Sequence, residues 1–504
     1  MFLKKQKKNG KLDTFFEVSK RGSSIKVELF AGITTFLAMA YILIVNPNNI
    51  LWGGTADPRF SSVFIATAIG AFVGTLLMAL LAKMPLAQAP GMGLNAMVGT
   101  IIGGAMGFSF SYGNAMMLVF VSGVIFLLLS FIPCGRKEKT GELISLREKI
   151  FDGMPKAVRT SISVGIGLFI AFIGLQNAHI ITDNQFTLLQ LVDFNNPELW
   201  ARGGDACCAV VCLFGLIVIG VLSHYHVKGS VIIGILFATL LAIPLGVADL
   251  KVLMGTTPGI SWKFWENIGN FFVGKDTVFL SMFHGGFELP PHSILTAIML
   301  VVTFSMIDMF DTMGTVVGCC SNANLLDQDG KPVNYGKIMY SDSIATIAGS
   351  LFGTSTVTTF VESGTGVAVG GKTGLSALTT AALFLLSIFL LPLFAFIPSA
   401  AAASALIYVG VIMMNNVFQI DFSNIKNAMP AFITVIAMPL AYSITEGIGL
   451  GVVSFVLLDI VIYINDYLLY KLGKTKVKPK TEITLVTLIV FILFLIYFLV
   501  PTVI

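Results

Sequence analysis

Two apolar stretches of this sequence cannot be uninterrupted helices. The first, Met84-Pro85-Leu86-Ala87-Gln88-Ala89-Pro90-Gly91-Met92-Gly93-Leu94-Asn95, packs prolines and glycines into one run. The second, from Gly353-Thr354-Ser355-Thr356-Val357-Thr358-Thr359-Phe360 through Val361-Glu362-Ser363-Gly364-Thr365-Gly366-Val367, is rich in Thr, Val and Gly. One lies in each half of the chain. Both contain Gly-x-Gly-apolar beside a polar side chain, Asn95 or Glu362. Proline removes a backbone donor and breaks a helix interior. Non-helical backbone survives at membrane depth only where it is buried in protein or lines a cavity. A pair of such segments in corresponding halves marks the substrate site of a transporter.

The rest of the chain supplies the membrane setting. Of 504 residues, 56% are hydrophobic and only 12% charged, against about 25% charged in soluble proteins. The net charge of +4 is too small to suggest nucleic acid as a partner. Cys134, Cys207, Cys208, Cys212, Cys319 and Cys320 sit in or beside apolar runs with no paired CxxC, so they read as small buried hydrophobes. Neither the Cys208/Cys212 spacing nor the His224-x-His226 pair is enough for a metal, and no metal or other cofactor is expected. The first 28 residues hold eight Lys/Arg and no apolar run, so no cleavable signal peptide is expected and the N-terminus should stay in the cytoplasm.

Apolar runs of about 20 residues place about fourteen spans, near 29–46, 62–82, 86–108, 114–133, 160–178, 205–223, 229–247, 293–315, 340–353, 355–371, 375–397, 402–417, 428–445 and 447–467. A further run, 484–503, is either a fifteenth span or a helix packed on the bundle. With the N-terminus inside, the loop carrying Arg136, Lys137, Lys139, Arg147, Lys149, Lys156 and Arg159 is cytoplasmic. So is the linker with Lys471, Lys474, Lys476, Lys478 and Lys480. Trp52, Trp200, Trp262 and Trp265 all fall outside. Met154-Pro155 before Val164-Gly165-Ile166, and Ile397-Pro398 before Val409-Gly410-Val411, each precede a pair of spans joined by a short turn. The expected fold is therefore an all-α polytopic membrane protein built as a 7+7 inverted repeat, with two short strands in broken spans three and ten.

Asp308, Asp311 and Glu362 are the clearest ionisable residues within spans. A carboxylate there costs roughly 2.5–3.5 kcal/mol on insertion scales and is a functional-site hypothesis by default. Asp308 and Asp311 are three apart and share a helix face, with no Lys or Arg in spans eight or ten to neutralise them. Thr354 to Val361 reads as extended, and a helix from Ser363 to about Gly371 would start mid-membrane with free N–H groups and a partial positive charge. Asn95 is expected at the equivalent place in the first half. Such a site suits a planar heterocycle that donates and accepts hydrogen bonds. Asp342 reads as a cap, Glu446 as an outer turn residue and Asp459 as facing the last helices. Phe36 and Tyr41 could stack on a ring, although packing more often explains such aromatics.

The opening Phe15-Phe16-Glu17, with Glu28-Leu29-Phe30-Ala31-Gly32-Ile33-Thr34-Thr35-Phe36, Tyr41 and Asn46-Pro47, resembles the adenine–guanine–hypoxanthine permeases, the AzgA-like branch of the nucleobase–cation symporters. Ala89-Pro90-Gly91-Met92-Gly93-Leu94-Asn95-Ala96, Asp308-Met309-Phe310-Asp311-Thr312-Met313-Gly314-Thr315, Gly353-Thr354-Ser355-Thr356-Val357-Thr358 and Glu362-Ser363 resemble its third, eighth and tenth spans. His179 departs from the Gly usual there. The resemblance implies a cytoplasmic segment 1–28, a core domain at 29–133 and 293–397, and a gate domain at 160–247 and 398–467. Between them lie a basic cytoplasmic loop 134–159 and an outer loop 248–292, with a basic linker and extra helix at 468–504.

It further implies purine uptake at the cell membrane by proton symport, with an elevator-like movement of the core. Implied substrate residues are Asp311, Glu362, Asn95, Leu94, Val361 and Thr359, with Leu94 and Val361 taken as strand residues offering backbone amides. Asp308, Asp311 and Glu362 would carry the proton. Implied partners are the purine base, protons, the bilayer and a second copy paired through the gate. Alternatives are a transporter of the same fold for xanthine, uracil or an inorganic anion, a channel, or an intramembrane aspartyl protease. An anion carrier should lack an acid at position 362, and the protease needs its two acids on separate helices.

Overall fold

A computed structural model of the protein describes residues 11–51, 54–104, 110–136, 143–227, 229–255, 260–323, 325–326, 332–472, 474 and 480–499. Trp52, Lys137, Lys139, Lys476 and Lys478 lie outside the described residues, as do the ends of the expected third span and of the final apolar run. Among the described residues, nine helices are long and apolar enough to cross a membrane, and four shorter apolar helices accompany them.

The first half runs α1 (Ile25–Met39), α2 (Ile42–Ile50), α3 (Phe60–Leu77), β1 (Gln88–Pro90), α4 (Met92–Ile102), α5 (Tyr112–Phe131), α6 (Leu146–Gly153), α7 (Lys156–Asn177), α8 (Asp205–His224) and α9 (Ser230–Leu245). The second runs α10 (Ile294–Asn322), α11 (Tyr335–Phe352), β2 (Val357–Thr359), α12 (Ser363–Ala368), α13 (Gly374–Leu386), α14 (Ser399–Met414), α15 (Ile425–Leu440) and α16 (Ile444–Lys471). A last helix, α17 (Leu485–Leu499), packs on α16, α10 and α6. Each half has helix pairs, then a strand leading into a short helix, then a long helix, then three more spans. The expected order of the inverted repeat is present.

Lipid replaces water around this bundle, so large apolar side chains point outward as well as inward. Phe214, Ile217 and Val221 of α8 are all at least half exposed. Helices α1, α3, α5, α11 and α13 pack among themselves, as do α7, α8, α9, α14, α15 and α16. The two groups meet where α7 touches α4 and α10 and where α14 touches α2.

At the centre of the first group the two strands pair antiparallel, Gln88 with Thr359, Ala89 with Thr358 and Pro90 with Val357. All six residues are buried. Their backbone groups find partners inside the protein, as they must without water. The Gly91 amide donates to the Thr356 carbonyl at 2.9 Å and the Phe360 amide to the Ala87 carbonyl at 3.0 Å. Thr75 of α3 closes the edge, its hydroxyl donating to the Gln88 carbonyl at 2.8 Å and accepting from the Gln88 amide at 2.9 Å. This close approach needs small residues. A Cβ on Gly74 would sit 2.7 Å from Val357 Cγ1 and 3.2 Å from Gln88 Cβ.

The crossing corrects several expectations. The paired strand is three residues long, Val357–Thr359, inside the expected 354–361. Helix α12 stops at Ala368, not near Gly371, and at 1.5 Å per residue spans about 9 Å. Leu94 lies inside α4 and is not a strand residue. Val361 lies past the end of β2. The residue matching Glu362, which caps α12, is Gly91, which caps α4; Asn95 sits a turn further in. Asp342 is no cap, because it lies in the interior of α11.

Candidate functional site

Where the strands end, a cavity of about 280 Å³ opens between the two groups of helices, a size suited to a small molecule. One wall holds Asp311 and Thr315 from α10, Thr359, Val361 and Glu362 from the second crossing, and Met92 and Gly93 from the first turn of α4. The opposite wall is Ser163 and Ile166 of α7 with Val409 and Ile412 of α14, and Asn416 just beyond. The walls touch closely, since a Cβ on Gly93 would stand 2.7 Å from Ile166 Cγ2. A second cavity, about 480 Å³, shares Glu362, Val409 and Ile412 with the first and runs to the turn at His226 and Gly229.

Glu362 is held from behind. The Tyr41 hydroxyl donates to its carboxylate at 2.5 Å, and Tyr41 is fully buried. Tyr41 therefore orients an acid and offers no face for stacking. Phe36 packs edge-on against Phe384, ring centroids 5.2 Å apart. Asp311 and Glu362 line the same cavity, so the two acids act on the same space. Ser363 ties the crossing together, its hydroxyl accepting from the Ala87 amide at 3.0 Å.

The donors lie at only one of the two helix starts that the sequence suggests. At the start of α12 the amides of Ser363, Gly364 and Thr365 bond back to Phe360, Val361 and Glu362 at 2.9–3.1 Å, so they are not free. Helix α4 is the better source. Its first intrahelical bond runs from the Asn95 amide to the Gly91 carbonyl, which leaves the Met92, Gly93 and Leu94 amides without an intrahelical acceptor. The Leu94 side chain is buried. Asn95 is fully buried as well. Its amide nitrogen donates to the Pro90 carbonyl at 3.2 Å and its oxygen accepts from Ser355. It braces the crossing and does not line the cavity.

Asp308 is also away from the cavity wall. It is fully buried, and neither carboxylate oxygen has a hydrogen-bond partner within bonding distance among the described residues. Beside it lies a cation that sequence reasoning assigned to a cytoplasmic loop. Arg147 of α6 is fully buried and pairs with Asp342 at 2.7 Å. Ser163 and Asn416 were missed too. The Asn416 amide donates to the Ser163 hydroxyl at 2.9 Å. A polar residue on an otherwise apolar face of α7 and another just beyond the apolar α14 were the available signal.

The Permease family matches residues 26–450. The chain is 34% identical to the adenine permease AdeQ of Escherichia coli, over 90% of this chain and 91% of that one. It is 36% identical to the guanine/hypoxanthine permease PbuO of Bacillus subtilis, over 87% and 93%. Among solved structures, the transmembrane domain of the cyanobacterial bicarbonate transporter BicA has the same fold, with TM-score 0.55 and 15% identity over 84% of this chain and 97% of that one.

Proposed function

This chain belongs to the Permease family, and from that premise we propose that it imports purine nucleobases by proton symport with an elevator-like movement. The observation that carries the reading is the pair Asp311 and Glu362 on the wall of one cavity that both groups of helices enclose. A purine edge presents N–H groups beside acceptors. Two acids accept those N–H groups, and the Met92–Leu94 amides at the positive end of α4 donate to ring nitrogen or carbonyl oxygen. An anionic substrate would meet two acids, which argues against an inorganic anion. Asp308 and Asp311 share α10, which argues against protease chemistry. The relatives named for adenine and for guanine/hypoxanthine favour these three purines over uracil or xanthine.

The packing supports a core at 29–133 and 293–397 and a gate at 160–247 and 398–467. The gate supplies the smooth, mostly apolar wall past which a loaded core would slide. In this reading the segment 1–28, the loop 134–159 and the linker in 468–504 face the cytoplasm, 248–292 faces outward, and the protein sits in the cell membrane. It pairs with a second copy through the gate. Asp311 and Glu362 hold the base, and Asp308 joins them in handling the proton.

The test is uptake of labelled adenine, guanine and hypoxanthine into proteoliposomes. Accumulation should follow an inward proton gradient, collapse with a protonophore and ignore sodium. Absence of purine uptake overturns the substrate, and sodium-driven accumulation at zero pH gradient overturns the coupling.

A further inference from the structure

Arg147 does not line the cavity, yet its surroundings tie it to Asp308 of α10. Arg147 directs one guanidinium nitrogen at Asp342 (2.7 Å) and the other at the Ser343 hydroxyl (3.2 Å) and the Met339 carbonyl (3.4 Å). The guanidinium lies over the Phe126 ring at 4.1 Å, and its Nε has no partner among the described residues. The other Asp342 oxygen accepts from the Thr312 hydroxyl at 2.8 Å and from the Gln88 amide at 3.3 Å. Thr312 is one turn beyond Asp308 on α10, so both face Asp342. Gln88 also donates to the Thr359 hydroxyl at 3.3 Å, on the cavity wall. The cluster thus reaches the binding cavity through one amide side chain.

We propose that Arg147 is the shared counter-ion of Asp342 and Asp308, a positioning residue that allows Asp308 to release its proton inside the bundle. The proposal rests on the proton-coupled reading above. With the proton on Asp308, the cluster holds one cation and one anion. When that proton leaves to water, a second carboxylate forms in a fully buried place where the neighbouring Thr312 hydroxyl already donates to Asp342. In a low-dielectric interior an uncompensated charge is severely disfavoured, and a nearby cation relieves it. The charges acting on Asp308 are Asp342, Arg147 and Asp311. Other elements packed on α10 carry Lys156 and Arg159 on α7 and Glu446, Asp459, Asp466 and Lys471 on α16. Helices α5 and α17 bring no Asp, Glu, Lys, Arg or His.

Three variants in proteoliposomes test this: Arg147→Lys, Arg147→Met, and the double variant Arg147→Met with Asp342→Asn. The double variant removes both charges of the pair, so it leaves no orphaned ion to prevent folding. Each is measured for purine exchange without a gradient, for accumulation on a pH gradient, and for the pH profile of exchange. The double variant should keep exchange, lose accumulation by about tenfold or more and shift its pH profile. Arg147→Lys should restore accumulation with a displaced profile. A purely structural pair predicts that the double variant accumulates purine as the wild type does, with an unchanged profile; that result, or an unshifted profile in both the Lys and double variants, overturns the proposal. Failure of the wild type itself to accumulate purine on a proton gradient removes the coupling reading instead.

Discussion

At the scale of single residues, Glu362 is the group on which binding should depend most. Glu362→Gln keeps the shape but replaces an acceptor with a donor toward the base. A hydrogen bond to a charged group contributes about 1.5–3 kcal/mol, so equilibrium binding of purine should weaken by tenfold or more. Unchanged affinity in the purified variant would remove Glu362 from the site. Tyr41→Phe probes the same acid from behind, because it deletes the 2.5 Å bond that orients it. Binding should weaken by roughly tenfold while the fold survives, since the ring still fills its buried place; normal affinity would show that the carboxylate orients itself. The paired acids of α10 should separate. Asp311→Asn should weaken binding, because Asp311 lines the cavity, whereas buried Asp308→Asn should spare binding and abolish accumulation. The reverse pattern would exchange their roles. The acids themselves were legible in the sequence, because a carboxylate in an apolar run is conspicuous. Arg147 was not, because a basic residue in a polar linker looks like any surface charge until the chain folds it inward. Tyr41 and Asn95 were visible as residues, but their partners are 321 and 260 positions away. No local pattern encodes such distances.

At the scale of elements, the broken spans were legible because Pro, Gly and β-branched residues disfavour continuous helix there. Their exact lengths were not. Strand length is set by how much backbone α3 and α11 can approach, which depends on packing across the bundle. The helix after β2 is short because Gly370, at φ +103, turns the chain away two residues after Ala368. The free amides expected at Ser363 are lost for a related reason: tight turns there consume the amides that a regular helix start would leave free, while the start of α4, with Leu94, keeps them. If the strand pairing depends on the bare surface of α3, then Gly74→Val should damage it. Its side chain would meet Val357, Ala345 and Gln88 on three sides, at 2.7–3.2 Å for the Cβ alone. Overpacking of this kind costs about 1–3 kcal/mol. The variant should unfold at lower temperature in detergent and bind purine poorly, while Gly74→Ser, the smaller change, should be intermediate. A wild-type melting curve for Gly74→Val would mean that α3 can step away from the crossing without loss.

At the scale of the whole molecule, the proposed elevator movement asks the two groups of helices to change their relation. The first group carries both crossings and the acids, and the second offers α7 and α14 as a wall. Gly93 and Ile166 face each other across that boundary, and a Cβ built on Gly93 stands 3.9 Å from Ile166 Cβ. Disulfides span Cβ separations of about 3.5–4.5 Å, so Gly93→Cys with Ile166→Cys should cross-link on oxidation. Replacing Ile166 also removes the methyl group that a side chain at 93 would strike. In the reduced state the double variant should exchange purine across the membrane. Oxidation should stop exchange in both directions, and reductant should restore it, while each single variant remains indifferent to oxidant. If the cross-linked protein still exchanges purine, α4 and α7 keep their contact through the cycle, and the elevator movement is excluded in favour of local gating around a fixed core.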